Sequence, residues 1–245
     1  MSAPRPTPDF HDVEYPADPY PGERPPTSFL HHDEAGYVLV PDATPSGWRL
    51  NGTTGRDLDD ELAALGAASV QERLPVLAYG SNVNPSKITW MREELGLSGP
   101  VIVIQAECQN VAAVWSAGVR QRDGQRPAVI AAWPEIRERH AVLLVTPEQR
   151  QVLDRVEGRG ERYRLAHVHT PVELDGGRAL ASVLAYTARP EVVGKNVPIH
   201  LNRSPLLVDG KFVRCADVEQ AQAILLDGVP ADSDGLTATE VHGEP

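Results

Sequence analysis

A chain of 245 residues, 41% of them hydrophobic, is long and apolar enough to bury a sizeable core in one large domain or two small ones. Its 34 acidic against 23 basic residues, a formal net charge of −11, argue against a general binder of nucleic acid or of anionic membranes. No run approaches the ~20 apolar residues that span a bilayer; Asp9, Asp12 and Glu14 among prolines do not resemble a secretory signal; and Cys108 and Cys215 stand far apart in no C-x-x-C spacing, so a reduced, cytoplasmic protein without structural disulfide or zinc is expected.

Charge is unevenly spread along the chain. Residues 1 to 74 carry a net −8, residues 75 to 190 a net +2 and residues 191 to 245 a net −5. Eight prolines fall between Pro4 and Pro26. Residues 1 to 30 therefore read as a disordered or loosely draped tail, and residues 230 to 245 share that composition. Residues 31 to 74 read as an N-terminal extension. In it, Tyr37 to Val40 has the look of a short strand. Asp57 to Arg73 reads as a helix, with acids early, Arg late, and Leu58, Leu62 and Leu65 on one stripe.

From residue 75 to 190 the pattern is that of one domain. Val76 to Tyr79 is a short apolar run between Pro75 and Gly80, as expected of a buried strand. Asn84 is a good N-cap and Pro85 suits the first helical turn, which predicts a helix from Pro85 to Leu95 stopped at Gly96. Strands are expected at Val101–Ile104, Asn110–Ser116, Ala128–Trp133 and His140–Val145. Thr146-Pro147-Glu148-Gln149 is a capping box that opens a helix ending at Gly158. Strands over Tyr163–Glu173 and Arg178–Thr187 flank Asp175-Gly176-Gly177, a hairpin signal. The sum predicts an α+β fold with a mostly antiparallel sheet, a small mixed barrel with a few flanking helices. Residues 191 to 229 read as a C-terminal extension, with a helix over Asp217–Leu226 that presents Val218, Ala221 and Leu225 to the barrel. Lys195 to Arg203 is polar and placed to form a specificity loop over a cavity.

Two features carry chemistry. The first is the turn Gly80-Ser81-Asn82 between a strand and a helix start, which aims backbone N–H groups at one point and adds two polar side chains. It lacks the glycines and the lysine of a P-loop and is no dinucleotide fingerprint. On the turn alone, an anion cradle and an ordinary turn that needs Gly both stay open. The second is Glu157. At 100° per residue it lies about 40° from Leu153, leaning toward the buried side of its helix, in the last turn, where the dipole disfavours negative charge. Both effects raise a carboxyl pKa and make a proton acceptor of use near neutral pH. Outward snorkelling, or pairing with Arg159 or Arg162, is the alternative.

Leu77-Ala78-Tyr79-Gly80-Ser81-Asn82, then Val142 to Val145 leading into Leu153-Asp154-Arg155-Val156-Glu157-Gly158, then Tyr163, resemble the gamma-glutamylcyclotransferase-like (AIG2-like) superfamily. The pattern is a Y-G-S-N-L turn followed 70 to 80 residues later by an L-D-x-x-E-G helix end and an aromatic; here Asn82 and Glu157 are 75 apart. Val83 replaces the usual Leu, and Gln105 to Arg126 has no match. The resemblance covers residues 75 to 190. It implies a small mixed β-barrel with a cavity at one end, and release of an amine or amino acid from a γ-glutamyl compound with formation of 5-oxoproline, without metal or organic cofactor. By the same resemblance Glu157 is the general acid/base; Tyr79, Gly80, Ser81 and Asn82 bind the α-carboxylate and polarise the γ-carbonyl; and Tyr163 and Tyr186 line the cavity. The competing function is a non-catalytic barrel module that binds a small anionic ligand or a protein partner.

A last cluster, His167-Val168-His169 with Glu173, puts two imidazoles on one face of a strand as metal-binding cupins do. Glu161 and Leu180 stand where that pattern needs Gly, and His200 follows a proline-interrupted loop. The reading is therefore two half-exposed strand histidines.

Overall fold

The computed structural model describes residues 6–52, 56–189 and 198–243. The N-terminal part gives β1 (Phe10–His11), β2 (Phe29–His32), β3 (Ala35–Pro41), β4 (Trp48–Leu50) and α1 (Leu58–Ala64). The middle gives β5 (Leu74–Ala78), α2 (Pro85–Leu95), β6 (Val101–Trp115), β7 (Ala128–Val145), α3 (Pro147–Glu157), β8 (Tyr163–Val168), β9 (Val172–Leu174), β10 (Ala179–Leu180) and β11 (Val183–Ala188). The C-terminal part adds β12 (Leu206–Val208), β13 (Lys211–Phe212), α4 (Gln220–Ile224), β14 (Val229–Pro230) and β15 (Ala238–Glu240).

One large sheet runs in the order β1-β3-β2-β6-β7-β5-β11-β8-β15, antiparallel except for β5 beside β11. The α+β class and the mostly antiparallel sheet agree with expectation. The barrel does not: among the described strands the path stays open from β1 to β15, and no pairing closes it. Hairpin signals and strand number are common to open sheets and barrels, so they could not separate the two. Closure is unnecessary because both faces of the sheet are covered. Val76 and Ala78 of β5, Val103 of β6 and Leu143 of β7 meet Ile88 and Met91 of α2 and Val152 and Leu153 of α3 on one face. Leu77, Ile102, Ile104, Val142 and Leu144 meet Trp48 of β4 and Leu58 and Leu62 of α1 on the other. Two covered faces also explain why these strands read as continuous apolar runs.

The helices follow their caps. Asn84 accepts from the Lys87 N–H at 2.8 Å and Gly96 ends α2 in the left-handed region. Thr146 and Gln149 close the predicted box on α3, and Gly158 ends it at φ +63°. Elsewhere the elements differ. The helix expected over Asp57–Arg73 stops at Leu65, and a separate 3-10 turn follows at Val70–Glu72, because Ser69 and Glu72 form a capping box of their own. The four strands expected between 101 and 145 are two. β6 and β7 pair along their length, with a register shift at Asn110, whose side-chain Oδ1 accepts from the Glu135 N–H at 2.9 Å. The C-terminal helix is short and buries Ala223, while Leu225 is 85% exposed. Arg126 holds it by donating to the carbonyls of Ala223 and Leu226.

Residues 6–30, expected as a draped tail, follow a defined path across α2. Few of their residues are apolar, but four are aromatic: Phe10 and Tyr20 are buried, and Phe10 meets Tyr15 and Phe29 edge to face at 5.0 and 5.3 Å. Polar side chains of α2 complete the anchorage. The Asn84 amide donates to the carbonyls of Tyr15, Pro16 and Glu23, and the Ser86 hydroxyl to that of Asp12 at 2.8 Å. At the other end, β15 adds to β8. Strand pairing also crosses the boundary expected at residue 75, since β2 of the N-terminal extension pairs with β6.

Candidate functional site

A cavity of about 500 Å³ opens where β5 gives way to α2. Strand β5 ends at Ala78, and Tyr79 to Asn82 turn out of the sheet into a short 3-10 turn, Ser81–Val83, before Asn84 caps α2. Glu157 comes to the same place as the last residue of α3. Tyr163 opens β8 and Tyr186 lies on β11. All seven residues singled out in the sequence (Tyr79, Gly80, Ser81, Asn82, Glu157, Tyr163 and Tyr186) line this one cavity.

The two motif halves touch. The Asn82 side-chain amide donates to Glu157 Oε1 at 2.7 Å. Glu157 keeps partial solvent contact through the cavity mouth, yet protein surrounds it on the other sides. Burial pushes its carboxyl up; the Asn82 amide and the charges of Lys87, Arg162 and Arg203 pull it back, and the net shift is upward. A carboxylate so shifted is readier to take a proton than a free one. Neither Arg159 nor Arg162 pairs with the Glu157 carboxylate: Arg159 bonds to Asp154, and Arg162 donates to the Val156 and Glu157 carbonyls at the helix end.

The tyrosines divide by the fate of their hydroxyls. Tyr79 donates to the Tyr186 carbonyl, and Tyr186 donates to Asp154 Oδ1 at 2.7 Å, so both present ring rather than hydroxyl to the cavity. Asp154 is 1% exposed and also receives Arg150 and Arg159, which makes it the fixed point behind the wall. Burial raises Tyr163 and Tyr186 far above the ordinary phenol range, so both stay neutral.

Several lining residues were not singled out in the sequence. Tyr20, from the segment expected to be a tail, forms part of the wall; its hydroxyl accepts from the Ala128 N–H at 2.9 Å and its ring faces the Arg120 guanidinium at 4.2 Å. An aromatic residue recurring in a proline-rich segment was the available signal. Lys87, one turn into α2, and Arg120 and Arg122, from the loop after β6, carried no local signal. His200, Leu201 and Arg203 line the cavity and belong to the polar stretch expected to form a specificity loop; residues 195–197 of that stretch lie outside the described residues. His167 and His169 are exposed at the opposite end of β8, with His169 bonded to the Thr239 hydroxyl at 2.9 Å. Among the described residues no three His, Cys, Asp or Glu side chains are grouped to hold a metal ion, and no helix is long and apolar enough to cross a membrane.

No family model and no curated protein matches the chain. Among solved structures, one described as a gamma-glutamyl cyclotransferase is similar over 48% of this chain and 68% of its own, with 19% identity and a TM-score of 0.40. An uncharacterized protein from Homo sapiens is similar over the same shares, with 18% identity and a TM-score of 0.40. YkqA from Bacillus subtilis is similar over 65% of this chain and 56% of its own, with 14% identity and a TM-score of 0.38. Identities this low leave the chemistry to be argued from the residues of the cavity.

Proposed function

We propose that the cavity catalyses an intramolecular aminolysis, in which the α-amine of a γ-glutamyl compound attacks its own γ-carbonyl carbon, releasing an amine and 5-oxoproline. The observation that carries this reading is the bond from Asn82 to Glu157 at 2.7 Å, which joins both halves of the sequence pattern at the floor of one cavity. Glu157 would take a proton from the α-ammonium. The freed nitrogen pair forms the ring C–N bond, the bond to the leaving nitrogen breaks as Glu157 returns the proton to it, and the second proton that the ring nitrogen sheds passes by Glu157 to the departing amine, which leaves as an ammonium. The five-membered ring supplies proximity, so the protein need only fold the substrate and relay protons from the attacking to the leaving nitrogen. No oxidant, metal or second substrate enters the balance. Ser81, Asn82 and the backbone of Tyr79 and Gly80 would hold the α-carboxylate and the developing oxyanion, while the rings of Tyr79, Tyr163 and Tyr186 would keep the glutamyl chain bent and water out. Such a reaction suits a soluble cytoplasmic protein.

A non-catalytic module that holds a small anion is the second reading, favoured by the cations of the lining. A carboxylate with a raised pKa at the cavity floor serves proton transfer and only weakens anion binding, which favours the first. Incubation with a panel of γ-glutamyl compounds, with 5-oxoproline followed by mass spectrometry, tests the choice. Product from the wild type and at least a 100-fold loss in Glu157→Gln are expected, the range of general acid–base catalysis being about 10²–10⁴. Equal product from the variant removes Glu157 as the base, and no product from any compound favours the binding module.

A further inference from the structure

The cavity carries more positive charge than its one carboxylate answers. Lys87, Arg122, Arg162 and Arg203 line it, and Glu157 is the acid among the lining residues. None of the four is neutralised elsewhere. The Lys87 ammonium lies over the Trp90 ring at 4.9 Å. Arg122 reaches Asp123 at 3.5 Å, but that carboxylate is already held by Arg120. Arg162 and Arg203 donate to backbone carbonyls, Arg203 to that of His200 at 3.2 Å, and a carbonyl cancels no charge. Arg120, paired with Asp123 and stacked on Tyr20, is spoken for, and Arg155, also on the lining, is exposed to solvent and donates to the Leu95 carbonyl at 2.8 Å, so neither is counted.

A γ-glutamyl end is a zwitterion and adds no net charge. Glu157 offsets one of the four cations. The excess that remains fits a leaving group with two negative charges better than a neutral amine or a single carboxylate. Three of the four cations are guanidinium forks, whose donors match the paired oxygens of carboxylate or phosphate. The chain as a whole is strongly acidic and repels such a ligand, so the local reversal of sign is what admits it. We infer that the amine released from this cavity is a dianion, a dicarboxylate or a phosphate monoester, held by Lys87, Arg122, Arg162 and Arg203. The inference rests on the reading of the cavity as a γ-glutamyl site.

The test compares kcat/KM for γ-glutamylglutamate, γ-glutamylphosphoethanolamine, γ-glutamylalanine and γ-glutamylethylamide, at low and high salt, in the wild type and in Arg203→Gln. One of the two dianions is expected to exceed the ethylamide by about ten-fold or more, with alanine between; high salt narrows the gap, and Arg203→Gln lowers the dianion-to-ethylamide ratio about ten-fold. The better of the two dianions names the source of the charge. Equal values across the panel, or a best value for the alanine compound, overturn the inference and leave the γ-glutamyl reading standing. No 5-oxoproline from any compound overturns that reading. Calorimetric titration of γ-glutamylglutamate then judges the anion site alone: binding that Arg203→Gln weakens about ten-fold sustains it, and equal or absent binding overturns it.

Discussion

Asn82→Ala isolates the contact on which the proposed chemistry depends. The bond from the Asn82 amide to Glu157 Oε1, at 2.7 Å, favours the ionised carboxyl and opposes the burial that raises its pKa. A hydrogen bond to a charged group contributes ~1.5–3 kcal/mol, and one pKa unit corresponds to ~1.4 kcal/mol, so its loss raises Glu157 by about one to two units. Water admitted through the cavity mouth returns part of this, and about one unit is expected. Proton abstraction requires the ionised form, so activity falls as pH drops through the Glu157 pKa. The acidic limb of the kcat/KM profile should therefore move up by about one pH unit in Asn82→Ala, whatever the accompanying loss in absolute rate. An NMR titration of the labelled Glu157 carboxyl, without substrate, should show the same shift. An unmoved midpoint, or one displaced to lower pH, would refute the argument that Asn82 sets the protonation of Glu157.

Glu157→Gln should stabilise the fold while it abolishes catalysis. The folded pKa is raised, so the stability contributed by this group is complete below the free-carboxylate value of about 4.3 and is lost as pH rises through the folded pKa; Gln mimics the protonated form, so thermal melts should show a higher Tm for the variant at pH 7, by ~2–4 °C for each kcal/mol, and no difference near pH 4. Asn84→Ala removes the cap of α2 and the donor to three carbonyls of the N-terminal segment, and should cost about 2–4 kcal/mol in urea unfolding and open the stretch from Tyr15 to Glu23 to proteolysis. Gly118→Ala would set a Cβ 1.9 Å from the Asn202 carbonyl oxygen and 2.6 Å from that of Ile199, backbone atoms that cannot yield cheaply; displacement of the turn that carries His200 and Arg203 should raise KM about ten-fold or more with a smaller change in kcat. Gly158→Ala, at φ +63° and with a Cβ 2.5 Å from Arg162 Nε, should lower stability by about 1 kcal/mol or more by the same urea assay.

Helices α2 and α3 were legible because their signals are local. Asn84, Pro85 and Gly96, and Thr146, Pro147 and Gly158, specify start and stop through bonds within a few residues. The lean of Glu157 toward the interior followed from helix periodicity and Leu153. The long strands were not legible. Where β6 and β7 leave the doubly covered part of the sheet, one face meets solvent, and the apolar run of Val142 to Val145 gives way to alternating exposure over Glu135 to Arg139. A change of pattern within one strand reads as a break between two. The N-terminal segment was misjudged for a related reason: composition averages over Phe10 and Tyr20, whereas packing depends on where those two rings land.

The amino-acid sequence by itself determined the caps, the apolar faces, and the two short patterns that contain Asn82 and Glu157. These depend on chemistry within a turn or two of chain. That Asn82 bonds to Glu157, that Asp154 takes the Tyr186 hydroxyl, and that Lys87, Arg122 and Arg203 share a wall with Tyr20 were decided only by the tertiary structure. Each of these contacts joins segments distant along the chain, and their meeting depends on the order of β5, β11 and β8 in the sheet, which no local preference encodes. The sheet also decides the charge of the site, since a chain of net −11 brings Lys87, Arg122, Arg162 and Arg203 to the cavity that contains Glu157 only once it has folded.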